Sequence, residues 1–270
     1  MVRILLDREE GFIPRRELNA INEMYIYGEV YISETDESNS MSDFEYYNLK
    51  IFKLALPEDN YKSYPYNWGN IKDISDIAKL KNLRKLVIKY NRIEHIPKIR
   101  GGTKLEYLDL SYNYLHDIEN TDSYKNLREL NLSNNNVWDL NSLVQMDKLE
   151  ALDISSTMVH DLKPLGNLEN LHKLKIFFIP IYDIDELVYI QSLTHLWLFD
   201  DFHYDFSKLL ELKNLKYVET SFCAIDDLPK HIEQGGDIRI LLPHKPLAFA
   251  TDEERQKYYD ENFKINIEGE

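Results

Sequence analysis

Residues 127–148, LRELNLSNNNVWDLNSLVQMDK, and residues 149–170, LEALDISSTMVHDLKPLGNLEN, are two copies of one pattern laid end to end. The first copy marks its opening with Leu127, Leu130 and Leu132, and the second with Leu149, Leu152 and Ile154. Working outward, the same L-x-x-L-x-L opening recurs at Leu83, Leu105, Leu171, Leu193 and Leu215, so that seven starts follow one another every 22 residues (105 − 83 = 22, and so on). The last copy is weakened to Leu215, Val218 and Thr220. Self-similarity at a fixed period of this length is the mark of a solenoid.

Places four and six of each unit are two apart, so both side chains point to one face of a short strand and their neighbours point to the other. One such strand cannot bury its apolar side, whereas identical units stacked in parallel make a continuous core. Place nine is Asn91, Asn113 and Asn135, then Thr157, with Ile179 in the next unit and Asp201 and Cys223 after it. An amide there is placed to pair with backbone groups of neighbouring coils that would otherwise be buried unsatisfied. The second half of each unit is apolar every three places, as in Val159, Leu162, Leu165 and Leu168, a spacing that suits a 3₁₀ turn or a short α-helix.

On these segments the chain resembles leucine-rich repeat proteins of the 22-residue bacterial, internalin-like type, which is similar to the SDS22-like type. The resemblance covers at least Leu83 to Gly235. It implies an α/β leucine-rich repeat solenoid, with a curved parallel β-sheet on the concave face, 3₁₀ or short helical turns on the convex face, and a concave face that commonly binds another protein.

The expected organisation is 1–60 as divergent N-terminal repeats or cap with inserted loops, 61–242 as the solenoid, and 243–270 as a C-terminal cap helix and tail. Ile51, Leu54 and Leu56 fit the opening of a rung that closes with Ile71, Ile74, Ile77 and Leu80 and carries an extra loop near Asn60 to Asn70. A weaker copy starts at Ile21 with Met24 and Ile26, and Val2 and Ile4 suggest a first strand. Beyond Leu215 the next start falls at Asp237, with Ile240 in place four of a last strand, and Thr251 with Glu254 forms a capping box for a terminal helix. End rungs diverge because they present a polar face instead of a neighbour.

Composition narrows the function classes. The chain has 32 basic and 47 acidic residues, a net charge of −15, which argues against general phosphate-backbone binding. The opening MVRILLDREEGF has a short apolar run broken by Asp7, Arg8, Glu9 and Glu10, unlike a secretory signal, and no run of about 18 apolar residues is present to span a membrane. A single cysteine, Cys223, excludes an intramolecular disulfide framework. No phosphate loop, nucleophile elbow, H-E-x-x-H or cysteine pair occurs. These features predict a cytoplasmic monomer that is not an enzyme and has no cofactor, no metal, no nucleic-acid partner and no membrane contact.

Place thirteen is Asp73, Asp117, Asp139, Asp161, Asp183, Asp205 and Asp227. Stacking puts copies roughly 5 Å apart, a carboxylate ladder able to attract cations. The better reading is that each aspartate accepts backbone N–H bonds at the start of a helical turn.

The candidate binding surface is the concave face, from places three, five, seven and eight. Its early rungs offer Lys85, Lys89 and Tyr107, and its later rungs offer Lys173, Lys175, Phe177, Phe178, His195, Trp197, Phe199, Tyr217 and Phe222. Large aromatics on three adjacent rungs form a patch fit for a protein partner. The alternative is that some of them pack on one another, with Phe178 and Ile179 marking a distorted turn. A second patch is electrostatic: nine basic residues against Glu94 between Lys79 and Lys104 give +8, leaving −15 − 8 = −23 for the rest. Alternative functions are an immunity or antitoxin-type inhibitor masking a basic enzyme, and an effector delivered into a host cell.

Overall fold

The structure, a computed structural model, describes residues 13–27, 30–33, 69–100, 102–116, 118–198, 206–220 and 239–241. Ten strands form one sheet: β1 (Glu23–Tyr27), β2 (Val30–Ser33), β3 (Lys85–Lys89), β4 (Tyr107–Asp109), β5 (Glu129–Asn131), β6 (Ala151–Asp153), β7 (Lys173–Lys175), β8 (His195–Leu198), β9 (Tyr217–Thr220) and β10 (Arg239–Leu241). Their order is β10-β9-β8-β7-β6-β5-β4-β3-β1-β2, parallel throughout except for the antiparallel β1–β2 pair. Place four fixes the register, with Met24, Leu86, Leu108, Leu130, Leu152, Leu174, Leu196, Val218 and Ile240 side by side. Every one of these from Met24 to Val218 is buried, as the alternation required.

The opposite side of six coils is closed by 3₁₀ turns, at Ser75–Lys79, Thr121–Tyr124, Asn141–Gln145, Lys163–Asn167, Asp185–Tyr189 and Phe206–Glu211, whereas the coil starting at Leu83 has none among its described residues. The three-residue apolar spacing produces them, because side chains three apart eclipse in a 3₁₀ turn. In one coil the Leu143 N–H donates to Leu140 O, Met146 to Leu143 O and Leu149 to Met146 O at 2.8–2.9 Å. That chain of bonds leads directly into the next rung. Gly166 allows two coils to touch, since a Cβ there would come within 2.8 Å of the Tyr189 Cβ.

The place-nine amides bond as the pattern required. Asn113 donates from Nδ2 to Ile88 O (2.7 Å), Leu110 O (3.0 Å) and Ser111 O (3.2 Å), while its Oδ1 accepts from the Ile93 N–H. Asn135 repeats the set one rung later. The place-thirteen aspartates also act as expected: Asp73, Asp139, Asp161 and Asp183 each accept from the backbone N–H two residues on, at 2.8–3.1 Å.

Two expectations need correcting. The strand beside β3 is β1, so the place assigned to a rung starting at Ile51 is taken by the weaker copy starting at Ile21. That coil is completed by residues 69–82, where the Gly69 N–H donates to Tyr90 O and the Ile71 N–H to Asn91 Oδ1. It measures 83 − 21 = 62 residues, 40 longer than its neighbours. An insertion between the strand and its closing turn hid the rung by separating its two apolar halves. The second correction concerns Phe178: its φ of 53° matches 55°, 56°, 55° and 53° at Tyr90, Tyr112, Asn134 and Ser156, all in place eight. At place eight the turn is the regular one, left-handed in each of the five rungs where that place is described; the departure comes just after it, where the Ile181 N–H donates to Ile179 O at 2.9 Å. Val2, Ile4, Leu54, Leu56, Asp237, Thr251 and Glu254 lie outside the described residues.

A six-residue helix, α1 (Arg15–Ala20), precedes β1, with Ile13 and Leu18 packed on the core. The Asn82 side chain donates to Asn19 O at 2.8 Å and ties that helix to the next coil.

Candidate functional site

The concave face is a grid whose rows are the repeat places and whose columns are the rungs. Sequence reasoning treated places three, five and seven alike, but the structure separates them. Place three holds the accessible side chains towards the two ends of the sheet, with Lys85, Tyr107, Lys173, His195 and Tyr217 all half-buried, while Glu129 and Ala151 between them are buried. Place five is closed except at the half-buried Asn131: Asp109, Lys175, Trp197 and Glu219 are 2%, 6%, 2% and 1% exposed. In place seven Lys89 is half-buried and Phe177 is buried. Phe178, in place eight, is 67% exposed and leans off the rim. Phe199 and Phe222 lie outside the described residues.

The accessible row is held by its neighbours. The Lys85 ammonium lies between two rings, 5.2 Å from the Tyr25 centroid and 5.0 Å from that of Tyr107, cation–π distances that fix a flexible side chain. Five rungs on from Lys85, His195 stacks on Tyr217 at 4.5 Å and lies near-parallel to Trp197 at 5.8 Å. Burial, then the positive charges of Lys173 and Lys216, push its pKa down to about 4, so the imidazole is neutral at ordinary pH. Burial likewise lowers the pKa of Lys173, against the pull of Glu129 and Glu150.

Beneath this row runs a charged seam. Lys89 pairs with Asp109 at 2.9 Å, and the Asn131 amide approaches the same carboxylate at 3.4 Å. Further along, Lys175 stands over the Trp197 ring at 5.6 Å. Desolvation lowers its pKa to about 8, with Asp153 and Glu219 resisting the shift. The seam is fixed in place by burial and pairing, and of its charged members Lys89 alone is half-buried while Asp109, Asp153, Lys175 and Glu219 are buried.

The basic stretch from Lys79 to Lys104 is less of a free patch than its charge suggested. Lys79, Arg84, Lys89 and Lys98 have carboxylates of Asp76, Glu106, Asp109 and Asp122 at 2.5, 2.6, 2.9 and 3.5 Å. Three of those four acids come from the following rung, which a charge count along the sequence cannot align.

Sequence reasoning missed a second surface. Past the left-handed place eight the chain stays extended for four residues, with places nine and eleven turned in and ten and twelve turned out. Ile93, Leu115, Val137 and Val159 are 0% exposed, while Tyr114, Trp138, Met158 and Tyr182 beside them are 45%, 57%, 58% and 92% exposed. The signal was available as alternation continuing through place twelve.

Among the described residues no group of three or more His, Cys, Asp or Glu side chains is placed to hold a metal ion, and no helix is long and apolar enough to cross a membrane. The family model for the leucine rich repeat matches residues 81–137. Beyond that segment the stacked coils share the solenoid fold of internalins. Internalin C2 of Listeria monocytogenes is similar in fold, with a TM-score of 0.55 and 24% identity over 64% of this chain and 77% of that one. Internalin InlF of the same organism aligns with a TM-score of 0.50 and 22% identity, over 66% of this chain and 60% of its own. No curated protein matches the sequence. Leucine-rich repeat proteins as a class mediate protein–protein interaction.

Proposed function

We propose that this leucine-rich repeat chain is a non-enzymatic protein-binding module that engages a protein partner through place three of its concave face. The observation that carries this reading is the ordering of Lys85, Tyr107, His195 and Tyr217 by ring contacts before any partner arrives. Side chains fixed in advance lose little entropy on association, and a rigid sheet holds them at repeat spacing. The row mixes tyrosine rings, a neutral imidazole and cations, the composition that hot spots favour. Lys175 and Trp197 support the row from below, and Phe177 does so beside them.

The test is capture from native lysate with the wild-type chain and a Tyr107→Ala, Lys173→Glu variant of unchanged melting temperature. The expected result is a protein retained by the wild type and lost by the variant. Equal recovery with both would move the interface off the concave face.

A further inference from the structure

Six of the eight exposed large hydrophobic side chains among the described residues sit in places eight, ten and twelve: Tyr112, Tyr114, Trp138, Met158, Phe178 and Tyr182. They follow from the backbone. The Tyr114 N–H donates to Ile93 O, the Asn136 N–H to Leu115 O and the Met158 N–H to Val137 O, at 2.7–3.0 Å, so place ten bonds to place eleven of the preceding rung in a second parallel ladder along the edge of the solenoid that reaches Met158 and ends at Pro180, which has no N–H. Its inner positions fill the core, and its outer positions face solvent. The parallel pairing of β5, β6 and β7 sets their rungs about 4.8 Å apart, so Trp138 and Tyr182, two rungs from each other, flank His160 within a strip of roughly 10 Å. Scattered exposed aromatics need no explanation, but a contiguous row of them does.

The flank of this row decides what it fits. Place thirteen follows directly, and Asp139, Asp161 and Asp183 cap their turns through Oδ1 alone. The second carboxylate oxygen of each is left for another donor. Lys163, the neighbouring cation, is engaged by Glu186 at 3.1 Å. The edge is therefore an aromatic and thioether strip bordered by carboxylates, on a chain of net charge −15. Arginine and lysine match both halves at once, because their stems cover apolar surface while their heads stack on rings or pair with acids.

We infer that this edge is a second interaction surface, independent of the concave face, that takes a basic extended segment of a partner protein. Its cationic side chains lie across Trp138 and Tyr182 and reach Asp161 and Asp183. At about 3.3 Å per residue, some five to six extended residues span the strip from Tyr114 to Tyr182.

The test uses the full chain and two labelled nine-residue peptides, one of alternating arginine and serine and one of alternating glutamate and serine, read by fluorescence anisotropy. The arginine peptide is expected to bind, and the Trp138→Ala, Tyr182→Ala variant to weaken it about tenfold or more. Asp161→Asn with Asp183→Asn, which keeps the Oδ1 acceptors of the caps, is expected to weaken it and to flatten its salt dependence. The concave Tyr107→Ala, Lys173→Glu variant is expected to bind the peptide like wild type, which separates this inference from the concave-face reading. Binding unchanged by the edge substitutions, or equal binding of the glutamate peptide, overturns it. So does a wild-type dimer by sedimentation that Trp138→Ala dissociates, since the row would then be covered by a second copy.

Discussion

Trp197 and Trp138 belong to the same solenoid, one on the concave face at 2% exposure and the other on its edge at 57%. On the face, every strand between β2 and β10 has a neighbour on each side, and long side chains in adjacent rungs lie over one another, as His195 does over Tyr217. On the edge, the left-handed residue in place eight turns the chain away from the sheet, and the outward side chains of places ten and twelve splay into solvent. The same residue type is thus a packing element in one region and free surface in the other. Repeat place and local backbone direction decide which.

The largest expected effect separates the two tryptophans. Trp197→Ala should cost about 3–5 kcal/mol of unfolding free energy in urea, as deletion of a buried ring does, while Trp138→Ala should change it by less than about 0.5 kcal/mol. Equal costs would break the distinction between face and edge.

A smaller effect concerns the seam beneath the face. Because Lys175 titrates at about 8 in the folded chain and near its usual 10.5 when unfolded, the unfolded chain binds more protons between those values. Wild-type stability should therefore rise with pH through that window, by an amount on the order of 3 kcal/mol, and Lys175→Met should lose the rise. Parallel pH profiles for the two proteins would mean that Lys175 is solvated.

The smallest effect lies at the rim between the regions. Phe178 holds a φ of 53°, so Phe178→Gly should stabilise by up to about 1 kcal/mol or leave stability unchanged, and Phe178→Val should destabilise by about 1–2 kcal/mol. Thermal melts of both variants check the ordering. A valine variant as stable as wild type would show that the left-handed turn is not required there.

Much of the fold was legible because its determinants are local and repeated. Leu130 and Leu152 announce their strands, Asn113 its backbone bonds and Asp161 its cap, each from spacing alone. The rung starting at Ile21 was misplaced because an insertion separates its strand from its closing turn, and only the β1–β3 pairing reunites them. The candidate site was legible as a set of rows, not as accessible surface. Trp197 and Phe177 were read as open to a partner, and the edge row with Trp138 was passed over.

By itself, then, the sequence determined the period, the strand register, the three-residue rhythm of the turns and the polar ladder of place nine. These follow from where an apolar side chain must point and which backbone groups must be satisfied. Tertiary structure alone decided which outward side chains stay in water, which carboxylate answers which lysine, and that β1 stands beside β3. Each of these depends on residues about 22 positions or more apart becoming neighbours through stacking, and a linear pattern does not carry that distance.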